Sequence, residues 1–328
     1  MRYFVTGIGG FAGVHLAAAL LAAGHEVTGL VRTRRPHPEL EALAASYPAF
    51  RPGALAGGDV VDAEAVRAAI AGARPDGVFH LAGIAFVPRA AADPARALTV
   101  NVLGTRNVLA AAACEAPACR VVVVGSADAY GASANARAPI TEECALRPVS
   151  TYGLSKAAAD MAAFQAWWET GLAVVRARAF NHTGPGQSDA FVCSDFARQI
   201  ARIERGHAPP VLRVGNLASA RDFSDVRDVV RGYLALMERG IPGEAYNLCR
   251  GETVTVGGIV EQLRDDARVS FEVVEEATRV RRREIPRVVG DSTRAQALGW
   301  APTIPLRQTL RELLAYWRVA DASGERQG

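Results

Sequence analysis

RYFVTGIGGFAGVHLAAALLAAGHEV, residues 2–27, reads as a strand, a glycine run, a helix and the opening of a second strand. Residues 2–6 form a short apolar run of the buried-strand type, residues 11–23 carry a helical pattern stopped by Gly24, and EVTGLV (26–31) is a second strand. Between the first strand and the helix, Gly7, Gly10 and Gly13 stand in a GxxGxxG spacing. In that position backbone amides and a helix N-terminus can meet a pyrophosphate with no Cβ in the way. The stretch therefore predicts a dinucleotide site and the fold that carries one.

The same alternation continues outward. Helical patterns at 62–71, 95–113 and 151–170 are interleaved with strand-like GVFHLA (77–82), RVVVVGS (120–126) and LAVVRAR (172–178). Strands apolar on both faces and separated by helices predict an α/β protein with a doubly wound parallel sheet, Rossmann-like in form. After Phe180 the texture changes to loops rich in glycine, proline and arginine with shorter helices, while 222–240 again reads as a long helix packed on the first domain. The expected organisation is a dinucleotide-binding domain at 1–180 with a returning segment at about 222–248. A smaller, discontinuous C-terminal α/β substrate domain would comprise 181–221 and 249–318, followed by a tail at 319–328.

Composition narrows the function classes. A chain of 328 residues, 50% hydrophobic and 22% charged, can bury a substantial core. Its net charge of +3 is too small and scattered for a nucleic-acid or membrane surface, and the cluster RVRRR (279–283) reads as a solvated face. LAAALLAA (16–23) is too short to cross a bilayer, so no membrane span is expected. The opening MRYFVTG resembles no secretory leader, and a cytoplasmic location is expected. Five cysteines without a CxxC pair, and six histidines without ligand spacing, point to neither a disulfide framework nor a metal site.

The second strand ends in VRTRR, where an NAD site would place a carboxylate for the ribose hydroxyls. Arg32, Arg34 and Arg35 instead suit a 2′-phosphate, so NADP(H) is expected in preference to NAD(H). Asp59, after the third strand, is a candidate partner for the adenine.

STYGLSK (150–156) holds the single lysine among 37 Lys and Arg residues, four positions after Tyr152. On a helix the two share a face, so the ammonium of Lys156 is expected to lower the Tyr152 pKa and fit it for acid–base work. Ser126, at the carboxyl end of the VVVV strand, stands where parallel sheets present ligands and can hold a substrate carbonyl.

Together, GxxGxxG, Ser126 and YxxxK resemble the extended short-chain dehydrogenase/reductases that act on nucleotide sugars. More narrowly, residues 80–105, 180–206 (FNHTGPGQSDAFVCSDFARQIARIERG), 214–230 and AYNLCRG (245–251) look like GDP-4-dehydro-6-deoxy-D-mannose reductases, and the related GDP-mannose 4,6-dehydratases share several of these blocks. The resemblance implies Ser126, Tyr152 and Lys156 as the catalytic set, with NADPH reducing a 4-keto sugar to GDP-D-rhamnose. It implies cofactor contacts at Gly7, Gly10, Phe11, Gly13, Arg32, Arg35, Asp59, Val60, Leu81, Ala82 and Gly83, as well as at Tyr152 and Lys156. Substrate contacts would come from Asn181, Arg198, Asn216, Arg221, Arg281 and Glu284, with Arg221 on the diphosphate. It further implies a homodimer joined near 95–113 and 151–170.

Ala179 and Thr151 depart from the pattern, each standing where the family has a proline. Asp128 occupies the place of the dehydratase base, which is typically glutamate and one methylene longer. Dehydration therefore stays open, as do epimerisation–reduction with His182 or Cys193 as an extra acid or base, and a catalytically silent nucleotide-binding scaffold.

Overall fold

In the computed structural model, which describes residues 1–32, 37–136, 139–279 and 285–321, neighbouring side chains of one strand enter different cores. Tyr3 and Val5 are buried in one apolar cluster and Phe4, between them, in another; Val122 and Val175 repeat the division against Val121 and Val174. A strand apolar on both faces needs helices on both, and that requirement sets the architecture.

The elements alternate as β1 (Arg2–Thr6), α1 (Phe11–Ala22), β2 (Glu26–Val31), α2 (Pro38–Ser46), β3 (Ala56–Gly57), α3 (Ala63–Ala73) and β4 (Gly77–His80). Next come α4 (Val87–Ala92), α5 (Pro94–Leu98), α6 (Gly104–Glu115), β5 (Arg120–Val124), α7 (Ser133–Ala136), α8 (Thr151–Thr170) and β6 (Ala173–Ala179). The remainder is β7 (Asn181–Thr183), α9 (Val192–Glu204), β8 (Val211–Val214), β9 (Ala220–Arg221), β10 (Phe223–Asp225), α10 (Val226–Arg239), β11 (Ala245–Leu248), β12 (Val254–Thr255), α11 (Val256–Asp266), β13 (Glu272–Glu275), β14 (Arg287–Val288), α12 (Thr293–Ala297) and α13 (Leu306–Ala320).

Seven strands form one parallel sheet in the order β11-β6-β5-β4-β1-β2-β3. Strand order reverses between β1 and β4, and a crevice at the carboxyl ends of those strands is where such sheets bind ligands. The first core lies against α1, α2 and α10 and takes in Ala295 and Trp300; the second lies against α3, α6 and α8. A third core joins α9, α11 and α13 to β8 and Phe223, beside small sheets pairing β13 with β8 and β9 with both β12 and β14.

Two elements differ from the pattern read in the sequence. The helix expected at 95–113 is broken into α5, a π turn at Thr99–Leu103 and α6. Asn101, buried in the turn, holds the Ile84 backbone and Ser155 Oγ, while Thr105 Oγ1 donates to the Asn101 carbonyl at 2.6 Å. The contiguous run Pro94–Glu115 is long and apolar enough to cross a membrane, yet half of it is buried within the fold, with Val108, Leu109 and Ala112 in the second core. The helix expected from residue 222 begins only at Val226. Its first residues are β10, parallel to β7, and Asp225 caps α10 by accepting from Arg227 N at 2.7 Å.

Candidate active site

The turn after β1 demands glycine for steric reasons. Gly7 has φ +73°, and a Cβ there would stand 2.7 Å from the Ala82 amide nitrogen. At Gly9 a Cβ would meet the His37 ring at 2.9 Å, and Gly10 caps α1. Beside this loop opens a cavity of about 450 Å³. Its wall includes Gly7, Gly10, Arg32, Asp59, Val60, Leu81, Ala82 and Gly83, eight of the residues expected to bind cofactor.

Phe11 and Gly13 serve the fold near this wall. Phe11 stacks on His182 with ring centroids 6.1 Å apart, and Gly13 lets α1 pack directly on the loop carbonyls of Gly7 and Ile8. Arg35 lies outside the described residues, as do Arg34, Arg281 and Glu284. A glycine cradle that a Cβ would fill, at a helix N-terminus and a topological switch point, fits a dinucleotide.

A buried polar chain stands behind the wall residues Gly7 and Leu81. His80 Nδ1 is 2.7 Å from Thr6 Oγ1 and Nε2 is 2.9 Å from Thr105 Oγ1. Because the Thr105 hydroxyl proton goes to the Asn101 carbonyl, His80 must donate through Nε2 and accept from Thr6 through Nδ1. Burial, reinforced by the Lys156 charge, pushes the His80 pKa down to about 3, so the ring remains neutral. Thr6 Oγ1 in turn accepts from Ala82 N at 3.3 Å, tying the ends of β1 and β4 together.

The expected pair is carried by α8, next to Gly83, and neither Tyr152 nor Lys156 is part of the cavity wall itself. Ser150 caps the helix by accepting from Gly153 N at 3.0 Å. A Cβ at Gly153 would lie 2.5 Å from the Asp128 carbonyl, so glycine after Tyr152 is what allows α8 to press against the turn carrying Ser126 and Asp128. Ser126 lies close enough to Tyr152 for its hydroxyl to oppose the rise in the tyrosine pKa, and Ser126 Oγ accepts from Asp128 N at 3.2 Å. Lys156 Nζ donates to the Val124 carbonyl at 2.8 Å, and a Cβ at Gly83, in the cavity wall, would stand 3.6 Å from it. Asn101 donates to Ser155 Oγ at 2.8 Å, and Ser155 donates to the Tyr152 carbonyl at 2.7 Å. The interrupted helix thus braces the one that carries Tyr152 and Lys156.

The charge state of the pair corrects the expectation drawn from spacing. Tyr152 lies above the ordinary tyrosine range: burial raises it, the Asp128 carboxylate adds to this, and the Ser126 hydroxyl opposes both. Burial brings Lys156 down to about 8. Desolvation of the phenol is the largest influence, and the Lys156 ammonium does not offset it.

The expected substrate residues are dispersed around the smaller sheets. Asn181 is exposed at the start of β7, and Arg221 in β9 donates to the Ala220 carbonyl at 2.9 Å and the Pro286 carbonyl at 3.3 Å. Arg198 pairs with Asp189 and lies 5.5 Å over the Trp317 ring, while Asn216 accepts from Ala218 N at 3.0 Å. Cys193 is buried and pushed up to about 12, chiefly by burial, which makes it a poor acid–base group. His182 is half-buried, desolvation lowers its pKa, and its Nδ1 is 3.0 Å from the Phe180 carbonyl.

Sequence reading missed His37, Ile84, Arg89 and Arg96 in the cavity wall, and Asn101 beneath it. Of these only Arg96 follows from a local signal, the DPAR start of α5, with Asp93 accepting from Arg96 N.

Comparisons with known proteins agree with this geometry. The family model described as GDP-mannose 4,6 dehydratase matches residues 4–313. GDP-6-deoxy-D-mannose reductase of Pseudomonas aeruginosa is 40% identical over 317 residues, covering 96% of this chain and 97% of that protein. dTDP-glucose 4,6-dehydratase of Streptomyces griseus is 33% identical, covering 95% and 93%. Among solved structures, RMD from Pseudomonas aeruginosa complexed with NADPH superposes with a TM-score of 0.83 at 38% identity, covering 97% of this chain and 99% of that one. With the glycine cradle, the Ser126, Tyr152 and Lys156 cluster and a family match over nearly the whole length, the chain belongs to the GDP-mannose 4,6-dehydratase family of extended short-chain dehydrogenase/reductases.

Proposed function

We propose that the protein is a cytoplasmic, NADPH-dependent reductase of the 4-keto group of GDP-4-dehydro-6-deoxy-D-mannose, yielding GDP-D-rhamnose. One observation carries the reading: Lys156 Nζ stands 3.6 Å from where a Cβ at Gly83 would be, beside a glycine-walled cavity, on the helix that brings Tyr152 close to Ser126. The full-length likeness to the Pseudomonas aeruginosa reductase supports the substrate, and the NADPH in the RMD structure, with Arg32 at the end of β2, supports the cofactor. Residues 1–180 with 222–248 would hold the cofactor, and 181–221 with 249–318 the sugar nucleotide, Arg221 gripping its diphosphate.

Bound NADPH supplies the hydride. Ser126 holds the carbonyl oxygen, and Tyr152, whose raised pKa keeps it protonated, donates the proton as charge develops on that oxygen. Protonated Lys156 stabilises the phenolate left behind. Incubation with the keto sugar nucleotide and NADPH should consume the reduced cofactor. Because Lys156 titrates at about 8, the rate should fall as pH rises through that value, which a pH series of kcat measures.

A second reading, GDP-mannose 4,6-dehydration, is favoured by the Asp128 carboxylate being close enough to raise Tyr152. It requires conversion of GDP-mannose with no net consumption of cofactor, and that outcome would displace the reductase reading.

The partner is a second copy of the chain. Leu154, Met161, Phe164 and Trp168 follow one flank of α8 and are 50%, 64%, 42% and 73% exposed, with Leu98 and Leu103 exposed nearby in chain order before α6. Such a stripe suits a helix-to-helix interface. Trp167, by contrast, packs in the second core. Light scattering should give twice the 34.7 kDa chain mass, and Trp168→Glu should shift it toward one. A wild-type monomer at micromolar concentration would refute the dimer.

A further inference from the structure

We propose that Arg89 is a phosphate-binding residue for the dinucleotide, gripping its pyrophosphate from the α4 side of the cavity. The inference rests on the dinucleotide reading and adds a residue outside the glycine loop.

The charged groups lining the cavity come from several elements: Arg32 at the end of β2, His37 and Glu41 at and near the start of α2, Asp59 after β3, Arg89 on α4 and Arg96 on α5. Arg96 is engaged with Asp59 at 2.5 Å, and His37 faces Glu39 at 3.1 Å. Arg32 and Arg89 are exposed, and neither side chain makes a hydrogen bond or ion pair among the described residues. Arg32 stands where the adenine ribose is recognised in this fold, which assigns it to the 2′-phosphate. The glycine loop offers neutral amides and the partial charge of one helix end against two phosphate charges. Among the described residues of the wall Arg89 is the remaining uncommitted guanidinium, and its planar fork matches phosphate oxygens.

The mounting of Arg89 is rigid. Ala90, the next residue, is fully buried in a small core with Ala97 and Tyr152. Phe86, which precedes α4, meets the Phe191 ring edge-on with centroids 5.7 Å apart. Arg89 is therefore carried on a turn fixed to the catalytic tyrosine and to the segment leading into α9.

Equilibrium titration with NADPH and with NADH, followed by protein fluorescence, tests the proposal. If wild-type protein binds neither, the dinucleotide reading itself fails. If it binds, Arg89→Gln should weaken both cofactors by a similar factor, roughly 10-fold to 100-fold, as expected for a lost charge-assisted hydrogen bond. Arg89→Lys should recover part of the loss, whereas Arg32→Gln should weaken NADPH selectively. An unchanged dissociation constant for both cofactors in Arg89→Gln overturns the assignment. A loss confined to NADPH would place Arg89 on the 2′-phosphate, and a rise only in KM for the sugar nucleotide would place it on the substrate; either result also overturns it.

Discussion

Replacing Tyr152 with phenylalanine is expected to cut kcat for keto-sugar reduction by about 10²–10⁴-fold, the range associated with a positioned general acid. The substitution removes one oxygen and preserves the ring, which packs with Ala90 and Ala97 beneath α4 and α5. Stability should change by roughly 1 kcal/mol or less, because the ring stays packed and only the hydroxyl facing Ser126 is lost. The rate effect is large because a buried phenol that resists ionisation is a proton source that solvent cannot readily replace. Single-turnover reduction monitored at the absorbance of the reduced nicotinamide separates chemistry from product release. A variant within tenfold of wild type would remove Tyr152 from the mechanism.

Much of this arrangement is legible in local sequence because it depends on local geometry. Strand, glycine run and helix follow one another within Arg2–Ala22, and steric exclusion at Gly7 is a property of that turn. A lone lysine four positions after a tyrosine needs only the helical repeat to put both at one site. The features that escaped notice are tertiary. Thr6, His80 and Thr105 meet across 74 and 25 positions, and Asn101 reaches Ser155 across 54, so no window of sequence contains the buried polar chain or the reason for the π turn. The direction of the Tyr152 pKa is hidden from the sequence for the same reason. Spacing reveals the neighbouring ammonium, whereas desolvation depends on Ala90 and Ala97, more than fifty residues upstream. Arg89 looks like any solvated arginine until β4 and β1 bring its helix to the glycine loop.

The largest stability effect is expected one helical turn beyond Lys156, at Asp160. Its carboxylate accepts from Arg178 Nε and Nη2 at 2.9 Å each and from Arg176 Nη1 at 2.6 Å, with Asp160 and Arg178 both buried. Arg178 Nη1 continues to the Tyr130 hydroxyl at 2.9 Å, which donates to Asn247 Oδ1 at 2.8 Å; α8, β6 and β11 are thereby joined by one polar network. Asp160→Ala leaves a guanidinium buried without its counter-charge and should cost about 3–5 kcal/mol, measured by urea denaturation. Asp160→Leu combined with Arg178→Met should cost less than the single change, since no unpaired charge remains.

The pH dependence has a definite sign. Burial raises the Asp160 pKa, but the hydrogen bonds and charge of Arg178, aided by Arg176, outweigh it and hold the folded value below the ordinary one. Its stabilisation is therefore complete above the unfolded carboxylate pKa and is lost as pH falls through the lower folded value, so Asp160→Ala should flatten that acid limb. A loss under about 1 kcal/mol would mean that the network is solvated and contributes as a surface pair does. In that case α8 would depend on its apolar contacts, with Ala163 in the second core, to hold Tyr152 and Lys156 at the carboxyl edge of the sheet.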